Sequence, residues 1–153
     1  MSKKIYRGLL FSSLVFLVNL TCFINGNSIL DFTFVNAILF AGIVDYYKMF
    51  IPETSVIIIL IISLINFDIY NLIYALFILF ITLVLYNTKK FGFGDVQLLA
   101  VMTLYLGFNI FYIIILSMIL VFIFNFNRKE IKIPYGFYIM LSVVIYYFIE
   151  VIL

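Results

Sequence analysis

Long apolar runs separated by short polar punctuation recur along the whole chain. The runs 69–86 and 110–124 are nearly free of charge and approach the ~20 residues that cross a hydrocarbon core roughly 30 Å thick. Breaks rich in Asn, Asp, Gly, Pro, Lys and Arg divide the chain into seven candidate spans, at about 5–24, 32–46, 51–66, 69–86, 95–106, 109–126 and 133–153. Several are shorter than an average crossing. A turn at Asn66-Phe67-Asp68 is needed, because an unbroken helix over 51–86 would be about 54 Å long at ~1.5 Å per residue. The pattern predicts an all-α polytopic membrane protein of about six to seven transmembrane helices, a single domain over residues 1–153.

The basic residues orient this arrangement. Lys and Arg concentrate in cytoplasmic loops. With a cytoplasmic N-terminus, Lys3, Lys4, Arg7, Lys48, Lys89, Lys90, Arg128, Lys129 and Lys132 all fall on the cytoplasmic side. Were 95–126 one span instead of two, Arg128, Lys129 and Lys132 would face away from Lys89 and Lys90. The same topology ends the second span at Asp45 and begins the fifth at Asp95, so both carboxylates are expected at one cytoplasmic depth.

Composition narrows the function classes. Hydrophobic residues make up 67% of the chain and charged ones 10%, against about half and about a quarter in a soluble domain. There is no room for a soluble domain, and the net charge of +2 implies no nucleic-acid surface. A single cysteine, Cys22, excludes an internal disulfide and a cysteine-rich zinc module, and the absence of histidine removes the commonest general base and metal ligand. Any catalysis must use other groups. The basic head and apolar stretch at the N-terminus look superficially like a secretory signal, but they lack a small-x-small cleavage pattern. Leu20-Thr21-Cys22 also lacks the small residue that precedes a lipoprotein cysteine, so a retained first helix is expected.

Among the acids, Asp31, Asp68 and Glu150 are read as solvated groups at the outer boundary, and Glu53 and Glu130 as members of inner loops. Asp45 differs. Ala37, Ala41 and Asp45 share a helical face flanked by Gly42, and small residues there admit a second helix closely. An acid beside lipid ordinarily faces the bundle interior or a watery cavity; the alternative is a snorkelling acid paired with Lys48. Asp95 follows Gly92 and Gly94, which permit backbone angles closed to other residues, and it reads equally as a helix cap. Two carboxylates a few ångströms apart cannot both ionise cheaply, so they share one proton. The ionised member can take a proton from water attacking a peptide carbonyl while the protonated member donates to the carbonyl oxygen. Such a pair titrates as a unit, and acid and base are not assigned.

Three segments resemble the prepilin peptidase, or type IV leader peptidase, family. Ile43-Val-Asp45-Tyr-Tyr-Lys-Met-Phe-Ile51-Pro52 is similar to its aspartate followed by an Ile-Pro pair. Gly92-Phe-Gly94-Asp95-Val-Gln-Leu-Leu is similar to its Gly-x-Gly-Asp helix start. Lys132-Ile-Pro134-Tyr-Gly136-Phe is similar to the segment that opens the last helix. The likeness runs over 32–153 in order, spacing and expected sidedness. It implies an enzyme of the bacterial or archaeal cytoplasmic membrane that removes, on the cytoplasmic side, the short basic leader of pilin-like or pseudopilin-like precursors ahead of their hydrophobic helix. Asp45 and Asp95 would be the catalytic pair, supported by Gly42, Gly92, Gly94 and Pro52, with no cofactor and no metal. The chain departs from the family at Gln97, where lysine is frequent, and at Phe137, where a second proline is common. It has no insert with paired cysteines, so methyl transfer to the new N-terminus is not expected.

Asn19, Asn36, Ser63, Thr82, Thr103, Ser117 and Ser142 are expected to hydrogen-bond across helices at about 0.6 kcal/mol each. The many Phe and Tyr residues are expected to serve as lipid-facing bulk and interfacial anchors. Pro52 and Pro134 sit near helix starts, where a missing N–H does no harm. Two other functions remain open on the residues alone. One is a non-catalytic membrane assembly factor of a pilus or secretion system, with the acids as caps. The other is a small ion-coupled transporter, which fits poorly because carriers place such acids near the midplane.

Overall fold

The computed structural model describes residues 3–24, 26–89, 91–125 and 133–152, with the side chains of 3–10 and 150–152 left aside. Lys90, Arg128, Lys129, Glu130 and Lys132 therefore lie outside the described residues, as do the side chains of Lys3, Lys4, Arg7 and Glu150.

Among the described residues the chain forms seven α-helices: α1 (Lys3–Ile24), α2 (Ile29–Lys48), α3 (Glu53–Ile65), α4 (Ile69–Asn87), α5 (Phe93–Leu106), α6 (Ile110–Asn125) and α7 (Tyr135–Ile152). A 3₁₀ turn, Gly107–Asn109, joins α5 to α6. The elements Ile29–Lys48, Ile69–Asn87 and Phe93–Asn125 are long and apolar enough to cross a membrane, and shorter apolar helices accompany them. The chain is a helical membrane protein.

Local chemistry sets the helix limits. Ser28 caps α2 by accepting from the Asp31 N–H at 3.2 Å, and Asp31 Oδ2 accepts from the Ser28 N–H at 3.1 Å. These reciprocal bonds satisfy donors that a helix start leaves orphaned. Asp31 thus lies inside the first turn of α2, which starts earlier than the expected 32. Asp68 caps α4 through the Tyr70 N–H at 3.0 Å. Pro52 is the N-cap of α3, so that helix begins at Glu53 and Ile51 stays outside it. The break after α5 falls at Gly107, whose φ of +57 comes with Asn71 Oδ1 packed where a β-carbon would stand. A residue with a side chain could neither adopt that backbone easily nor fit there.

The core lies where α2 meets α5 and α7, around Phe34, Val35, Ile38, Leu98, Met102 and Ile139. α3 packs between α2 and α5, α4 packs outside α5, α6 pairs with α7, and α1 rests on α2 and α7. α5 and α6 run in opposite directions: Tyr105 near the end of α5 bonds to Asp31 at the start of α2, whereas Ser117 and Asn125 farther along α6 bond to Tyr135 and Tyr138 at the start of α7.

Of the seven polar residues expected to join helices, four do so. Asn19 and Asn36 exchange amide hydrogen bonds at 3.1 and 2.7 Å, Ser63 Oγ donates to the Val101 carbonyl at 3.2 Å, and Ser117 meets Tyr135. Thr82, Thr103 and Ser142 instead bond to carbonyls of their own helices. Large aromatic residues such as Phe80 and Phe122 point outward from α4 and α6, as lipid-facing bulk should.

Candidate active site

Asp45 occupies the last full turn of α2 and is only 5% exposed. An unpartnered carboxylate at such a place would be costly. Its partner comes from α7: the Phe137 N–H donates to Asp45 Oδ2 at 3.3 Å. That donor exists because α7 starts at Tyr135 after Pro134, and the first turn of a helix leaves N–H groups without partners in the helix body. The Phe137 N–H also points to the Pro134 carbonyl at 3.2 Å, so one donor is shared by two acceptors. The pairing of Asp45 with Lys48 does not form: Lys48 Nζ lies over the Phe50 ring, 5.9 Å from its centre.

Two glycines make this approach possible. A β-carbon on Gly42 would fall against Met140, 2.8 Å from Sδ and 2.9 Å from Cγ, with Cβ nearer still. Gly42 therefore sets how closely α2 crosses α7. A β-carbon on Gly136 would lie 3.1 Å from both Asp45 Oδ2 and Ile51 Cδ1.

Asp95 is in the first turn of α5, and its Oδ2 accepts from the Gly92 N–H at 3.3 Å. The cap expected of an aspartate here is thus formed, but it engages one oxygen only. The backbone of Gly136 lies against the Asp45 carboxylate as well, and among the described residues no hydrogen bond joins the two carboxylates. The two groups are nonetheless within electrostatic reach of each other.

Ile51 links the three segments. It is 8% exposed and sits between helix starts: a β-carbon on Gly94 would be 3.1 Å from Ile51 Cβ, while Ile51 Cδ1 abuts Gly136. Pro52 then turns the chain into α3. The segment after Asp45 is therefore packed against the entry of α5 on one side and the entry of α7 on the other. Tyr135 lines the same region, its ring 4.9 Å from Phe91 and its hydroxyl 2.9 Å from Ser117 Oγ.

All six residues singled out in the sequence, Asp45, Asp95, Gly42, Gly92, Gly94 and Pro52, gather at one end of the bundle. Sequence reasoning gave no role to Gly136 or Ile51. A glycine directly after Pro134-Tyr135 was the available signal, since glycine is a poor choice for a helix start unless a neighbour needs the space. Chemically, two carboxylates held by backbone N–H groups within electrostatic reach of each other can exchange protons with water.

No curated protein and no solved structure matches the chain. A model of the type IV leader peptidase family matches residues 32–126, which include Asp45 and Asp95 but stop short of α7. Because that match covers more than half of the sequence, the chain belongs to the type IV leader peptidase family.

Proposed function

We propose that this protein is a membrane aspartic endopeptidase that removes the short basic leader from pilin-like precursors, without methyl transfer, at the cytoplasmic boundary of the membrane. The observation that carries the reading is the convergence of Asp45 and Asp95, far apart in the chain, at one end of the helix bundle within electrostatic reach of each other. Water held between them is the nucleophile. The ionised carboxylate takes its proton as it attacks the scissile carbonyl, and the protonated one donates to the carbonyl oxygen and then to the departing amine. Gly42, Gly92, Gly94 and Pro52 act by geometry, letting backbone and helix come close enough to hold the pair.

Lys48 ends α2 and Lys89 follows the C-cap of α4 at the same end as the aspartates, which favours a cytoplasmic site under the positive-inside bias. A precursor that brings a basic leader to that boundary and an apolar helix into the bilayer suits a site with two acids at the edge of an apolar bundle. The test is co-expression with a pilin-like precursor, following leader removal by gel mobility. Asp45→Asn and Asp95→Asn should each cut processing by about 10²-fold or more. Undiminished cleavage by either variant would sink the mechanism. The Gly92 N–H bond to Asp95 also fits a non-catalytic assembly factor with its acids as caps. Precursor binding by the unaltered protein without any cleavage would favour that second reading.

A further inference from the structure

The end of the bundle opposite the aspartates holds a polar cavity of about 220 Å³, room for about seven waters at ~30 Å³ each. Its walls include Asn27, Asp31, Asn66, Tyr105, Asn109 and Tyr147. These come from the α1–α2 loop, α2, the end of α3, α5, the 3₁₀ turn and α7. In a chain that is 67% hydrophobic, so many polar side chains converging from separate segments are not accounted for by helix capping. Asn66 and Asn109 contribute no side-chain cap.

Among the described residues Asp31 is the one carboxylate of the wall, and it is held rigidly. Its Oδ2 accepts from the Ser28 N–H at 3.1 Å and the Ser28 hydroxyl at 2.7 Å, and its Oδ1 accepts from the Tyr105 hydroxyl, whose ring is stacked 4.4 Å from Phe34. A carboxylate has about four acceptor positions, so Asp31 retains one. Apart from Leu106, the other residues of the wall carry amides and phenols, and among the described residues no Lys or Arg lines it. Such a wall selects a small cation that can donate hydrogen bonds. A carboxylate supplies the charge-assisted bond, amide oxygens take the remaining N–H groups, and phenol rings attract the positive charge.

We propose that this cavity is a binding site for a primary ammonium group, offered by the ethanolamine headgroup of a membrane lipid or by a soluble amine. The inference is independent of the peptidase reading, since the site lies at the other end of α2 from Asp45.

The full-length protein in detergent would be titrated with dihexanoyl phosphatidylethanolamine and with dihexanoyl phosphatidylcholine, bound lipid being counted by native mass spectrometry. The second lipid has the same phosphate and chains but no N–H on its nitrogen. Ethanolamine lipid should bind at least five-fold more tightly. Asp31→Asn should abolish that preference, and Asn66→Leu, which leaves the Ser28 cap intact, should weaken it about three-fold. Competition by free ethanolamine at equal concentration assigns the ammonium itself as the ligand. Failure to compete assigns the whole lipid headgroup. Equal binding of the two lipids by the unaltered protein overturns the proposal, as does an unchanged preference in Asn66→Leu should Asp31→Asn fail to fold.

Discussion

Gly42→Ala is the sharpest probe of how the fold builds the site, because it adds one methyl group and no chemistry. The new β-carbon would fall 2.9 Å from Met140 Cγ and nearer still to Met140 Cβ. Carbon atoms attract best at about 3.5–4.0 Å, so α2 and α7 must part by roughly 1 Å. The side chain of Met140 cannot absorb this by changing rotamer, since its Cβ is fixed to the helix. The crossing sits about one turn from Asp45 on α2 and one turn from Phe137 on α7, and the bond between them is already 3.3 Å long. A shift of that size breaks it.

Overpacking should cost about 1–3 kcal/mol of stability, and misplacing a reacting group by ~1 Å should slow cleavage by about 10²-fold. The assay pairs thermal unfolding in detergent with the rate of leader removal at a temperature where the variant remains folded. Met140→Ala removes Cγ and Sδ but keeps Cβ, so it should not restore the rate, whereas Met140→Gly should restore part of it. Processing by Gly42→Ala at the original rate would refute the claim that this crossing positions Asp45, and full rescue by Met140→Ala would refute the assignment of the clash to Cβ.

Other expectations rest on single features. Asn19→Leu should leave the side-chain oxygen of Asn36 without its donor, while its N–H keeps the Phe32 carbonyl, and lower the unfolding temperature; Asn19→Leu with Asn36→Leu should recover most of the loss, because removing both partners costs less than orphaning one. Gly107→Ala should destabilise the α5–α6 turn by about 2 kcal/mol or more through both its positive φ and Asn71, and Asn71→Ala should relieve only the second part. Ser55, fully buried in the first turn of α3, has a hydroxyl that finds no hydrogen-bond partner among the described residues. Ser55→Ala should therefore leave stability unchanged or raise it by about 1 kcal/mol, read as thermal unfolding.

The helices were largely legible because the polar residues that interrupt the apolar runs are also the residues that end helices. Asp68 and Pro52 mark starts by chemistry that acts within three residues, and such effects can be read along a line. The break between α5 and α6 follows from polar punctuation and is supported by charge sidedness, and Gly107 supplies its physical cause. What escaped was everything decided by distant chain. At Asp45 the residues left two partners open, Lys48 nearby and the bundle interior. The choice fell to the Phe137 N–H, 92 positions away, a main-chain group that carries no signature in the sequence. Asp31 is the second case. It stands at the boundary, partly exposed as expected of a solvated acid, but the Tyr105 bond from α5 and the pocket beside it carry no signature in the sequence.

Both cases have one origin. A side chain's local pattern states its cost of burial, and only the packing of other helices states whether that cost is met. Asp45 and Asp31 stand near opposite ends of one helix, each tied by hydrogen bonds to a helix that the α2 sequence does not mention. The spacing of α2 against α7, governed by Gly42 and Gly136, therefore bears on the surroundings of both acids at once. A change that reseats α2 should be felt at both ends of the bundle, not at the aspartate pair alone.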